Sequence, residues 1–201
     1  YLMVDNYDEL LAENEEIEEM EKALLDTYKK EYDNTGQKEL DKILAAYNLQ
    51  KIAFTYADNL KDKLKKVAKE VQKTTTKKIK EKLEVAQNEG YDLDDAKSLI
   101  IQSAFSEGRK NTIVRTETTK LMNESKQMAM SLANDNGANV QKTWISENDE
   151  KVRESHLELD GITIDINNDF VNSGGAAKGP GQFGIESEDI NCRCILIAQL
   201  D

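Results

Sequence analysis

Two thiols and one imidazole are the residues of this chain whose types could do chemistry together. Cys192 and Cys194 are the only cysteines, one residue apart in Ile190–Cys194 (INCRC), and His156 is the only histidine. Asp149, Arg153 and His156 follow one another at steps of four and three, the spacing that aligns side chains on a short helix. If Cys192 and Cys194 sit on a strand, both point to one face, as ligands of a shared ion must. Zinc is therefore an alternative, with His156, Cys192 and Cys194 as its ligands. Most zinc signatures, however, place two residues between paired cysteines. The preferred reading is a reduced, metal-free pair with no cofactor, buried like small apolar groups beside His156 and Trp144. A disulfide between residues i and i+2 strains the geometry and is discounted. A cysteine hydrolase needs an accessible thiolate in electropositive surroundings, and Arg193 on the same strand would face away from both sulfurs.

Glu186-Ser187-Glu188 formally matches the Glu-x-Glu pair of ADP-ribosyl transfer, with Arg115 as the arginine. Against this, Arg115 lies in a helical pattern, no Ser-Thr-Ser stretch intervenes, and the glutamates follow a glycine loop with no strand pattern. No catalytic residue is assigned.

The elements that would position these groups divide in two. Up to about residue 135 the apolar residues recur at helical spacing. One stripe runs Leu10, Ile17, Met20, Leu24, Tyr28 to a break expected at Asn34-Thr35-Gly36, and a second begins with Leu40, Ile43, Leu44 and Tyr47. Ala53, Ala57, Leu60, Leu64, Val67 and Val71 keep coiled-coil steps, continued by Ile79, Leu83 and Ala86 to Gly90. Asp92 or Asp94 can cap a short helix carrying Ala96, Leu99 and Ile100, and Ser106 a further one. Along that last helix Arg115, Thr119 and Asn123 share a face at i, i+4, i+8. Arg115 is expected to hydrogen-bond residues 140–198, its planar fork holding a carboxylate or several carbonyls.

A composition shift marks a boundary near Asn136-Gly137: the Trp, His, Pro and both Cys lie after residue 140. Val140–Ile145 and Ile162–Ile166 alternate like half-buried strands, and Arg193–Ala198 is a short apolar run suited to a buried one. Asn172–Gly184 (NSGGAAKGPGQFG) lacks phosphate-loop spacing and reads as a plain surface loop. The expected fold is α+β, an elongated all-helical region over 1–104 followed by a small mixed domain over 105–201.

Charge is uneven. Charged residues make up 33% and the net charge is −12, which suits narrow apolar stripes better than one thick core. Residues 1–26 hold ten acids against Lys22, whereas 51–90 hold eleven lysines against six acids. The Lys61–Lys82 segment is a candidate for weak DNA contact, but arginine and interleaved aromatics are missing from its basic run. No apolar run reaches the roughly 18 residues that span a bilayer. An acidic start without an h-region gives no signal-peptide pattern, so a soluble, reducing location is expected.

From Ile113 onward the order "IVRTETTKLMNES", "KTWISENDEKVRESHLELDG", "DF", "KGPGQFG", "INCRC" resembles the phage head morphogenesis family, the Mu F-like minor head proteins. The pattern falls on Arg115, Thr116, Glu117, Thr118 and Asn123. It continues through Trp144, Asp149, Arg153, His156, Gly161, Phe170, Pro180, Asn191, Cys192, Arg193 and Cys194, with Thr119 between, over about 105–198. Lys151 and the glycine-rich stretch before Pro180 depart from it. The resemblance implies a non-enzymatic minor structural protein of the virion, made in the host cytoplasm. It would sit at the portal or head interior, binding portal, capsid or scaffold proteins, with a part in DNA packaging or ejection.

Overall fold

The computed structural model describes residues 30, 34–51, 54 and 60–199; the stripe from Leu10 to Tyr28 and the positions Ala53 and Ala57 lie outside them. The fold is α+β. Helices come first among the described residues and strands appear only from Gln141 onward. The chain forms two compact units, each described by itself.

Among its described residues the first unit is a helical hairpin. Helix α2 (Leu60–Glu89) is followed by α3 (Leu93–Ala104), and Val71, Thr75, Ile79, Ala86, Ala96 and Ala104 are buried. The steps of four from Val71 to Thr75 to Ile79 keep one face inward. Thr75 is tolerated there because its hydroxyl donates to Val71 O at 2.8 Å. Gly90, at φ +70°, closes α2: its N–H reaches Gln87 O, and Tyr91 N–H reaches Ala86 O, the paired bonds of a Schellman turn. Asp92 then opens α3, its Oδ1 accepting from the N–H groups of Asp94 and Asp95 at 2.9 Å.

The second unit takes in Lys30–Tyr56 and Phe105–Asp201. Residues 34–51, read from sequence as part of the arm, belong to this unit. Residues 34–46 form helix α1, which buries Leu40, Ile43 and Leu44. The break expected at Asn34-Thr35-Gly36 is therefore corrected. Gly36 is an inward position, not a terminator: a Cβ on it would lie 2.2 Å from the Phe54 ring. Asn48, at φ 52°, ends α1 by the turn that Gly90 makes in α2. Tyr47 Oη–H donates to Asn139 O at 2.7 Å.

Helix α4 (Glu107–Asp135) starts at Ser106, whose hydroxyl accepts from Arg109 N–H, and Gly137 at φ +99° closes it. Strands β1 (Gln141–Ile145), β2 (Thr163–Asp165) and β5 (Ile195–Gln199) form an antiparallel sheet in the order β2-β1-β5. Trp144 faces Leu196 across the β1–β5 ladder, and Thr143 faces Thr163 across β1–β2 with their hydroxyls 2.8 Å apart. Short helices α5 (Glu154–Leu157) and α6 (Glu186–Asp189) lie in the connections. The Asn172–Gly184 loop is also corrected. Its first residues complete a hairpin of β3 (Phe170–Asn172) and β4 (Gly175–Ala177), closed at Ser173-Gly174.

Gly36→Ala is expected to lower the stability of the second unit by ~1 to 3 kcal/mol, the range for overpacking, because the Phe54 ring must move. Denaturant melts of wild type and variant check this; equal midpoints would place the ring elsewhere in solution.

Candidate functional site

The site forms where α4, the α5 turn and the INCRC segment meet. α4 supplies the fixed side. Asn123 is buried, its Nδ2 donating to Cys194 O at 3.0 Å and Pro180 O at 3.3 Å, and its Oδ1 accepts from Leu196 N–H at 2.8 Å. One helix side chain thus bonds the backbone on both sides of Ile195. Thr116 Oγ accepts from Asn191 N–H at 2.9 Å and donates to Thr112 O. Lys126 Nζ donates to Leu196 O at 3.1 Å. Gly181, at φ +78°, sits so close to α4 that a Cβ would lie 3.2 Å from Lys120 Cα, which brings the Pro180 carbonyl within reach of Asn123.

Arg115 does not take the role expected of it. It is exposed, and Thr116 and Asn123 make the contacts to residues 140–198 instead. Glu117 and Thr119 are half-buried on the same helix. The expected alignment of Asp149, Arg153 and His156 on one helix is also corrected. α5 begins only at Glu154, so Asp149 lies outside it and Arg153 caps it. Asp149 forms a two-pronged ion pair with Arg193, at 2.6 and 2.5 Å. Arg153 donates to Ile190 O. Both arginines thus fasten the α5 region to INCRC from its solvent side. Gly161, at φ +75°, lets the chain turn and donate its N–H to Trp144 O at 2.9 Å. Asn191 holds a left-handed φ of 58°.

The thiols lie ahead of β5, which starts at Ile195 rather than at Arg193. Both still turn to one side. Cys192 Sγ is 3.7 Å and Cys194 Sγ 3.5 Å from His156 Nδ1, and all three residues are buried. The other imidazole nitrogen, Nε2, is 3.2 Å from Glu188 Oε2, though the approach lies off hydrogen-bond geometry. Ser155 Oγ donates to the same carboxylate oxygen at 2.8 Å. Gly174 rests against that carboxylate, since a Cβ there would be 2.6 Å from it. Around the imidazole stand Trp144, edge-on at 5.3 Å, and Phe183, stacked at 5.8 Å, with Phe170 edge-on to Trp144 at 5.4 Å. The thiols titrate as a unit. The Cys192 thiol is pulled down because Cys194 donates to it and His156 is adjacent; Cys194, the donor, is pushed up by that bond and by burial.

Three contributors were not singled out from sequence. Glu188 was weighed only as half of a transferase pair, yet it is buried beside His156 on helix α6, with Glu186 exposed. Asp189 accepts from the N–H groups of Phe183 and Gly184 at 3.0 and 2.7 Å, holding the stacked ring in place. Lys142 is fully buried, its Nζ donating to Lys178 O at 2.8 Å and Gln127 Oε1 at 3.2 Å, and burial brings its pKa down to about 8. Its position two residues before Trp144 was the available signal: on a strand both face the core.

A small α+β unit whose closing strand is gripped by a long helix and sealed by a His–Cys–Cys cluster is the class these features define. The chain belongs to the Phage Mu protein F like family, whose model matches residues 11–197. That match begins well before the 105–198 stretch in which the resemblance was visible. Over 89 residues the chain is 39% identical to the NAD(+)--arginine ADP-ribosyltransferase EFV of Enterococcus faecalis (strain ATCC 700802 / V583), covering 44% of this chain and 18% of that protein. Over 64 residues it is 39% identical to minor head protein GP7 of Bacillus phage SPP1, covering 31% of this chain and 21% of that protein. The matches thus span about a fifth of either relative's length. No solved structure matches the chain.

Asn123→Ala should destabilise this unit by ~2 to 4 kcal/mol, because it strands buried backbone groups at Cys194 and Leu196, whereas Arg115→Ala should stay within ~0.5 kcal/mol. Thermal melts decide, and equal losses would mean that Arg115 does grip the C-terminal residues. A second expectation concerns pH. The Arg193 guanidinium holds the Asp149 carboxyl down to about 2. A carboxyl depressed on folding contributes stability above its unfolded value near ~3.9 and loses it as pH falls toward 2. Between pH 4 and 2 the melting temperature of wild type should therefore drop more steeply than that of Asp149→Asn; parallel curves would show that the pair does not form in solution.

Proposed function

We propose that this chain is a non-enzymatic minor structural protein of a phage head, held at the portal or head interior through contacts with portal, capsid or scaffold proteins. The observation that carries the reading is the family match over 11–197, joined by the likeness to a minor head protein. The contacts described above favour binding over turnover. Glu188, the residue a transferase would need free, is buried with its carboxylate between Ser155, His156 and Gly174. The other relative is named as a transferase, but the likeness covers 18% of it and its named activity need not lie in that part.

Helix α2 offers an attachment surface. Lys69, Lys73, Lys77 and Lys80 recur every three or four residues and are all exposed, a basic row suited to an acidic protein face or, weakly, to DNA. Among the described residues no helix is long and apolar enough to cross a membrane.

The test is co-expression with the portal, scaffold and major head proteins of the same phage. The chain is expected in purified heads in few copies, with less incorporated when the four lysines are changed to glutamate. Its complete exclusion from otherwise normal heads would overturn the proposal. So would NAD hydrolysis or ADP-ribose transfer by the purified chain that is lost in Glu188→Gln.

A further inference from the structure

We propose that His156, Cys192 and Cys194 bind one zinc ion, with Glu188 as the positioning residue behind the imidazole. From sequence alone zinc stood second to a metal-free pair, for want of a fourth ligand and of support behind the ligands. The structure brings three donors together and supplies that support. The three donor atoms lie within 4.8 Å of one another and are buried. The Nδ1–Sγ separations of 3.5 and 3.7 Å bracket the edge of a tetrahedral site, about 3.6 Å from Zn–S near 2.3 Å and Zn–N near 2.05 Å. The two nitrogen–sulfur edges therefore need little change to take an ion.

The support behind the ligands is equally specific. A ligating histidine commonly gives its second ring N–H to a carboxylate, which fixes the tautomer and raises ligand basicity. Glu188 Oε2 stands 3.2 Å from Nε2, and Ser155 holds that carboxylate. Nδ1 is then left with its lone pair toward the two sulfurs. His156 Nε2 is a buried polar atom without a well-aligned hydrogen-bond partner.

Binding replaces two S–H bonds by two Zn–S bonds and releases two protons, so a divalent ion and two thiolates leave the cluster neutral. Neutrality suits a buried site, where an uncompensated charge is costly. One exchangeable ligand such as water completes the tetrahedron. The ion would join α5 to INCRC, two segments that Arg153 and the Asp149–Arg193 pair already bring together.

This goes beyond the head-protein reading, and its readout is separate: metal is measured on the isolated chain whether or not it enters a particle. The full chain, purified under reducing conditions and given zinc chloride, should hold one equivalent after gel filtration. Its thiols should resist a thiol reagent until a chelator is added, and chelation should lower the melting temperature, since binding energy becomes folding energy. Cobalt chloride added to the metal-free chain should give the intense visible bands of a tetrahedral ion and the thiolate charge-transfer band. This reads the ligands in wild type, so the proposal stands or falls even if Cys192→Ser or Cys194→Ser fails to fold. Glu188→Gln should weaken zinc binding by ~10 to 100-fold while keeping the stoichiometry. A chain that retains no zinc, shows only the pale spectrum of hydrated cobalt and melts alike with and without chelator would overturn the proposal.

Discussion

The amide of Asn123 does for strand β5 what a neighbouring strand would do. It gives a donor to Cys194 O and an acceptor to Leu196 N–H, the two backbone groups that a parallel partner would engage on either side of Ile195. β5 stands at the sheet edge, with β1 on one side only, and an edge of unpaired groups must be covered. Covering it with a helix normally leaves those groups unsatisfied, because helix backbone has none to spare. A single buried amide, with donor and acceptor on one short stem, removes the conflict. It also sets the register between α4 and β5, since a shift of either by one residue would break both bonds together.

The cluster at INCRC depends on that register. Cys194 is held by its own carbonyl, Cys192 follows a left-handed Asn191 tied to Thr116, and the two sulfurs are thereby aimed at one nitrogen. His156 arrives from the opposite side, its ring fixed by Trp144 and Phe183. Trp144 in turn lies on the central strand, beside a fully buried lysine. Burying an amine costs several kcal/mol unless it is hydrogen-bonded, and the Lys178 carbonyl and Gln127 amide meet that need for Lys142. The polar groups of this core thus fix one arrangement of α4, the hairpin and the sheet, where apolar groups alone would permit several.

Among the described residues before 135 the helical periodicity was legible because each stripe needs only local spacing, and so were the caps at Asp92 and Ser106. Gly36 misled because glycine signals both a break and a close approach; only Phe54, eighteen residues on, distinguishes them. The β3–β4 hairpin was missed because Gly174 and Gly175 look like loop chemistry, and the strand pattern is three residues long on each side. Arg115 was favoured for its five donors, yet grip on a strand edge needs an acceptor as well, which arginine lacks and asparagine has. The convergence of Cys192, Cys194 and His156 was foreseen as an option, but their common aim is set by turns at Asn191 and Arg153, not by strand alternation. The place of Glu188 beside His156 could not be read without knowing that α6 folds back onto α5.

Chain order raises a last question, because α1 joins the second unit across an excursion, residues 57–104, that belongs to the first. Closing such an excursion costs little more than closing a short loop: each doubling of length adds only ~0.6 kcal/mol. Burial of Leu40, Ile43 and Leu44, with the Tyr47–Asn139 bond, exceeds that at about 1.5 kcal/mol or more per large apolar side chain. The excursion is not slack chain either. The Schellman turn at Gly90 and the Asp92 cap let α2 and α3 fold from contacts close in sequence, which form early, whereas the bonds of Asn123 and Thr116 join residues 57 to 75 apart. A local hairpin that folds first shortens the effective loop that the slower unit must close. The lysine row of α2 then lies on a hairpin whose inward face and caps are made from its own residues.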